Sequence, residues 1–167
     1  KKEILSNRHI AKKSPDKWYR TIDKVKAELQ YTPKILIPDI SGNSLLFIDE
    51  GHFYPLHNIY YITGEDTHQL KILCSILMSD FVKKQIQRLS TNMNGGYARW
   101  QSQNLRKLRI PYIKGITQEQ ATILEEGYDK KDLKLINNCI ISLTQRAASS
   151  QKVKANRKPL QLSLPFS

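Results

Sequence analysis

Ile59-Tyr-Tyr-Ile-Thr63-Gly64-Glu65-Asp66-Thr67-His-Gln-Leu70-Lys-Ile-Leu73-Cys-Ser-Ile-Leu77 changes its period midway. The first five residues are β-branched and aromatic, the composition of a strand. After Gly64 the spacing becomes helical, with Leu70, Leu73, Leu77 and Phe81 on one face. Asp66 or Thr67 can cap that helix, because a short side-chain oxygen accepts from the free N–H groups of a first turn. The same spacing predicts that the helix runs to about Leu89.

Upstream, Lys34-Ile-Leu-Ile-Pro38 reads as a strand, with Pro38 at its end or on an edge. Ser41-Gly42-Asn43 is a turn signal, Leu45 to Asp49 a second strand, and Asp49-Glu50-Gly51 a second turn. Further back, Trp18, Ile22, Val25 and Leu29 recur at spacings of 4, 3 and 4, which predicts a helix from Asp16 to Leu29 behind Pro15. Downstream, Ser90 to Gly96 is a polar loop, and Leu105 to Ile113 reads as a last strand. Thr117-Gln-Glu-Gln120 has the form of a capping box. Leu133, Ile136, Ile140 and Leu143 form a short helical seam. The expected organisation is a folded unit over 1–114, a helical segment over 115–150 that packs on it or acts as a spacer, and a basic tail over 151–167.

The 167 residues carry a formal charge of +12, and its placement is uneven. Residues 1–34 hold ten bases and four acids, whereas 35–82 hold one base and six acids. Residues 83–114 then hold eight bases and no acid. A folded body with one cationic face attracts polyanions, and nucleic acid is the commonest. The chain lacks the roughly 18 consecutive apolar residues of a membrane helix. The polar start at Lys1-Lys2-Glu3 has no leader character, and a first residue other than Met points to a fragment of a longer protein. Two cysteines, Cys74 and Cys139, are too few for a disulfide scaffold, so a reducing, cytoplasmic setting is expected.

Several chemistries lack their signatures. No glycine-rich loop joins a strand to a helix, so no dinucleotide or phosphate-loop fingerprint is present. No Gly-x-Ser-x-Gly elbow occurs. His52 and His57 have no cysteine at zinc-ligand spacing. Pro38-Asp39 could open a nuclease pattern, but no glutamate is followed two places on by lysine. The Asn-Pro-Pro-Tyr motif of adenine methyltransferases is missing too. The chain is expected to bind rather than to catalyse.

Residues 88–107 hold what a nucleic-acid site needs. Arg88, Arg99, Arg106 and Lys107 supply charge, and Tyr97 and Trp100 flat faces. Asn92, Asn94, Gln101, Gln103 and Asn104 supply amides that donate and accept together. Arginine pairs with guanine edges and Asn or Gln with adenine edges. The alternative is a polar loop whose Trp100 packs on the core, and for Trp100 taken alone packing is the favoured reading.

These pieces, in this order, carry a resemblance. Trp18-Tyr19, Pro33-Lys-Ile-Leu-Ile-Pro38, Phe53-Tyr-Pro-Leu-His57-Asn58, Leu70 to Ser79, Gly95-Gly-Tyr-Ala-Arg99 and Leu105-Arg-Lys-Leu-Arg-Ile-Pro111 are similar to the TaqI-like specificity domain. That domain is the C-terminal target-recognition part of adenine-specific restriction–modification methyltransferases. Cys74 stands where the family commonly has Asn. The resemblance implies an α+β fold with a twisted, mainly antiparallel sheet and packed helices, followed here by the helical segment.

The resemblance further implies double-stranded DNA as partner and a separate methyltransferase domain or subunit that binds S-adenosylmethionine. This chain would then be no enzyme by itself. The parent would be a site-specific adenine DNA methyltransferase, with or without endonuclease activity. Expected phosphate contacts are Lys34, Arg88, Arg99, Arg106, Lys107 and Arg109. Expected base contacts are Asn94, Tyr97, Arg99, Gln101, Gln103 and Asn104, chosen for their chemistry rather than by family correspondence. No catalytic or metal-binding residue is expected. The competing readings are half of a Type I specificity subunit, an RNA-binding module and a nuclease. Gln161-Leu-Ser-Leu-Pro-Phe166 also resembles the short peptides by which bacterial proteins hold the sliding clamp, against the plainer reading of a segment packed on its own domain.

Overall fold

The computed structural model describes residues 2–19, 25–40, 45–56, 58–90 and 98–151. The tail with its clamp-like peptide, the loop residues Asn94 and Tyr97, and His57 lie outside them. The elements are α1 (Lys2–Ser6), α2 (His9–Lys13), β1 (Lys34–Pro38), β2 (Phe47–Asp49), β3 (Ile59–Thr63), α3 (Thr67–Met78), α4 (Asp80–Leu89), α5 (Ser102–Leu105), α6 (Gln118–Lys130) and α7 (Leu133–Gln151). The fold is α+β, as the resemblance implied.

β1 is the middle strand of an antiparallel sheet ordered β2-β1-β3. Lys34 stands opposite Asp49 on one side and Thr63 on the other. Strand alternation sends Ile35 and Ile37 to one face, where both are fully buried. Ile48, Tyr60 and Ile62 pack beside them on that core. The opposite face carries the Leu36–Phe47–Tyr61 row, and Phe47 is half exposed.

α3 lies against the core face of the sheet. Leu70 and every residue from Ile72 to Met78 are buried. A helix apolar all round needs partners on all sides, and α3 has β1, β2, α4, α6 and α7 around it. Asp66 caps its start, accepting from the N–H groups of His68 at 2.9 Å and Gln69 at 3.4 Å. The helix does not continue to Leu89 as its spacing suggested. Ser79 is extended (φ −67°, ψ 154°), closing α3 by donating its N–H to the Ile76 carbonyl. The same residue opens α4, accepting from the Val82 N–H, with Asp80 in the new first turn. Phe81 therefore lies on α4 and is partly exposed, rather than on the buried face of α3.

Two further expectations are corrected. Residues 16–29 do not form one helix in their described part. Pro15–Lys17 and Ala27–Tyr31 are 3-10 turns, and Val25 is exposed. The Lys26 N–H donates to the Tyr54 hydroxyl, far along the chain. Residues 105–113 are not a strand either. Leu105 closes the short α5, and Leu108 is buried three residues on, the spacing of a helical turn. The stretch beyond is held by one side chain: Gln85 on α4 donates its amide to the Arg109 carbonyl and accepts the Arg109 N–H, both at 2.9 Å.

The helical segment shares the core. Leu124, Tyr128, Ile136, Cys139 and Ile140 belong to the same buried cluster as α3. The Ser75 hydroxyl donates to the Leu124 carbonyl at 2.7 Å, and the Tyr128 hydroxyl accepts the Ile48 N–H of β2 at 2.9 Å. The capping box forms as its sequence predicted, with Gln120 N–H on the Thr117 hydroxyl and Thr117 N–H on the Gln120 amide oxygen. α6 ends at Lys131 in the left-handed region (φ 55°), whose ammonium lies 3.4 Å from the Tyr128 ring centre. Asp132 then caps α7 through the Leu135 N–H.

Gly127 sits where α6 and α7 cross. A Cβ there would meet the Ile136 Cγ1 at 2.6 Å, and Ile136 has no exposed surface into which to move. Gly→Ala inside a helix ordinarily stabilises by up to ~1 kcal/mol. At this site overpacking reverses the sign, and Gly127→Ala should cost about 1–3 kcal/mol. An unchanged or raised urea midpoint would show slack in the crossing.

Burial pushes the Cys74 thiol up to about 12 and raises that of Cys139. Neither is a reactive thiolate at neutral pH. Among the described residues, no group of three or more His, Cys, Asp or Glu could hold a metal ion. No described helix is long and apolar enough to cross a membrane.

Candidate nucleic-acid interface

The far end of β1 is where the segments of the predicted site meet. Asp39 follows the strand and is buried. Its N–H donates to the Asn58 carbonyl at 2.9 Å, and its carbonyl accepts the Trp100 N–H at 2.7 Å. Ile40 and Arg99 form an isolated antiparallel bridge. The Arg99 N–H donates to the Ser90 hydroxyl at 2.8 Å, and its carbonyl accepts the Asn104 side-chain amide at 3.1 Å. Flanks of three segments that are distant in sequence are thus joined at one point, through backbone groups that would otherwise lie unpaired.

Side chains complete the junction. The Arg99 guanidinium takes one oxygen of Asp39, Oδ2, through Nε at 3.2 Å and through Nη2. That hydrogen bond, and then the carboxylate charge, raise the arginine's pKa above its ordinary value. The other Asp39 oxygen, Oδ1, is buried and has no hydrogen-bond partner among the described residues. Arg99 keeps about a third of its side chain exposed, against 8% for Asp39. Trp100 beside it is 1% exposed, the packing role expected of it.

The predicted residues fall into distinct groups. Arg88 in the last turn of α4, and Arg106, Lys107 and Arg109 beyond α5, are exposed. They lie in the acid-free stretch 83–114, and the Gln85 clamp holds its end along α4. Gln101 begins α5 and accepts from the Gln103 amide at 3.1 Å, with Gln103 exposed.

Two predicted contacts face inward. Asn104 is buried, and its amide supports the Arg99 carbonyl. Lys34 is fully buried, so the structure removes it from the phosphate set. Its ammonium pairs with Asp49 and donates to the carbonyls of Thr32 at 2.8 Å and Gln30 at 3.4 Å. Asp49 also accepts the N–H groups of His52 and Phe53. Burial would raise its pKa, but the Lys34 hydrogen bond and these two N–H groups outweigh it, and the net shift is downward from 3.8.

Sequence reading missed Asp39, Asn58, Ser90 and Gln85 as parts of the site's framework. In sequence Asp39 offers only the opening of a nuclease pattern. The structure gives it to Arg99, 60 positions later, a pairing that no local pattern announces.

The fold and this junction define an α+β module with a basic, amide-rich segment tied to the end of its central strand. Residues 4–110 match the model of the TaqI-like C-terminal specificity domain, and the chain belongs to that family. It is 38% identical over 143 residues to the Type II methyltransferase M.PaeR7I of Pseudomonas aeruginosa, covering 86% of this chain and 25% of that protein. It is 38% identical to M.XhoI of Xanthomonas vasicola over 83% of this chain and 25% of the relative. For M.BstVI of Geobacillus stearothermophilus the identity is 44%, over 71% of this chain and 21% of the relative. The chain therefore spans about a quarter of the length of these relatives. All three are Type II methyltransferases, and the Type I alternative draws no support from them.

Proposed function

We propose that this chain binds duplex DNA and selects the target sequence of a Type II methyltransferase acting on adenine. Family membership is the observation that carries the reading. The acid-free stretch with Arg88, Arg106, Lys107 and Arg109 exposed supports it physically. Such cations are suited to phosphates and to setting the docking, and on this reading the residues around Arg99 are the candidates for base contacts. Methyl transfer, S-adenosylmethionine and extrusion of the adenine belong on this reading to a methyltransferase part outside the chain. Adenine as the methylated base rests on the resemblance. The residues of this chain then grip, orient and read the duplex.

Anisotropy titrations of labelled duplex DNA over a range of salt test the reading. Arg88→Ala and Lys107→Ala should each weaken binding to all sequences alike, and should each lower the slope of log K against log salt by about one. Absence of duplex binding at low salt, or tighter binding of single-stranded RNA in competition, would refute it.

A further inference from the structure

The Asp39–Arg99 pair has a geometry that a surface ion pair does not need. Asp39 is almost wholly buried and offers a single oxygen to the arginine. That oxygen is taken by the side edge of the guanidinium, through Nε and Nη2. Among the described residues nothing occupies the Nη1 hydrogens or the second Nη2 hydrogen. Those donors form the end of the fork, which matches two acceptors side by side. The backbone of Arg99 is fixed at both ends, by the Ser90 hydroxyl on its N–H and the Asn104 amide on its carbonyl. Trp100, sealed in the core, anchors the next residue. Main chain and side chain of a partly exposed arginine are both held, and among the described residues only its outer edge is unspent.

We infer that Arg99 reads the O6 and N7 edge of one guanine in the major groove, and that Asp39 is the positioning residue that aims it. Guanine offers two acceptors at the spacing of the fork, and arginine is their commonest partner. A phosphate also accepts the fork, but needs no aimed guanidinium, because its oxygens are reached from many directions. Holding the side chain before DNA arrives lowers the ordering cost that a free arginine would meet on binding. The inference rests on the proposed duplex binding and adds to it a base and an aiming residue.

The test uses the full 167-residue chain and randomised duplexes, from which the preferred sequence is selected. Each guanine of that sequence is then replaced singly by 7-deazaguanine, which lacks N7 and keeps Watson–Crick pairing. Wild type should lose about 10–100-fold in affinity at one guanine. Arg99→Lys keeps the charge and removes the fork. It should lose preference for that guanine, become indifferent to the deaza substitution there, and keep its salt slope. Asp39→Asn keeps the shape of the side chain and removes its charge. It should weaken the same discrimination while affinity for random duplex holds, and thermal melts of both variants confirm folding. Should both variants keep wild-type sensitivity at every guanine, the inference fails and the proposed function stands. If wild type binds no duplex, both fail together. A purely structural pair would change the melts and leave the pattern of deaza sensitivity unmoved, which also overturns the inference.

Discussion

Asp49→Ala should lower stability by about 3–5 kcal/mol, although the residue is one carboxylate at the edge of a three-stranded sheet. The Lys34 ammonium it neutralises has no exposed surface, and two carbonyls alone do not balance a buried charge. The same change leaves the His52 and Phe53 N–H groups without their acceptor. Lys34→Met combined with Asp49→Leu removes both charges and should recover much of the loss, but not the part due to those two N–H groups. The pair also sets a pH dependence. The Asp49 pKa is depressed in the folded state, so its contribution is complete above the ordinary value of 3.8 and is lost as pH falls through the folded value below it. Urea midpoints measured from pH 7 downward should converge for wild type and Asp49→Ala only in that acid range. Equal midpoints at pH 7 would show that Lys34 finds another partner or water.

Trp100→Ala should cost a similar amount, about 3–5 kcal/mol, because it leaves a cavity where the largest fully buried side chain stands. Trp100→Phe should cost less, since it fills most of the space. The effect reaches beyond stability. The Trp100 N–H is hydrogen-bonded to the Asp39 carbonyl, and Arg99 is its neighbour. A loosened residue 100 frees the backbone on which Arg99 is mounted, so sequence preference should fall before general affinity does. A loss under 1 kcal/mol in urea titrations would mean that the surrounding core closes over the gap.

The elements that were legible are those whose signal is local. β3 follows from five consecutive β-branched and aromatic residues, and the α6 cap from two residues three apart. Asp66 announced α3 for the same reason. Where the reading failed, a distant group had intervened. The Lys26 N–H donates to the distant Tyr54 hydroxyl, and Gln85 takes up the backbone at Arg109. The break at Ser79 was local but ambiguous, since Ser-Asp within an apolar helical run is as easily a surface step as a cap. Lys34 looked exposed because strand alternation puts it opposite Ile35, and nothing nearby showed that Asp49 would cover it. The basic and amide-rich stretch was found by composition. Composition could not divide it into the outward Arg88, Arg106, Lys107 and Arg109 and the inward Asn104.

β1 is pinned at both ends by an acid and a base, Lys34 with Asp49 at one and Asp39 with Arg99 at the other. In strands of three to five residues a single cross-strand ion pair weighs heavily beside the apolar pattern in choosing the alignment. A slip of one residue would turn Ile35 and Ile37 outward. It would also set Asp49 against an aliphatic neighbour and leave Lys34 buried without its counter-ion, an error of several kcal/mol. A misaligned β1–β2 pairing is therefore penalised twice, once by lost burial and once by stranded charge. The Lys34–Asp49 pin thus works against a slipped β1–β2 alignment, while Asp39–Arg99 fastens the far end of β1 to the segment that carries Trp100.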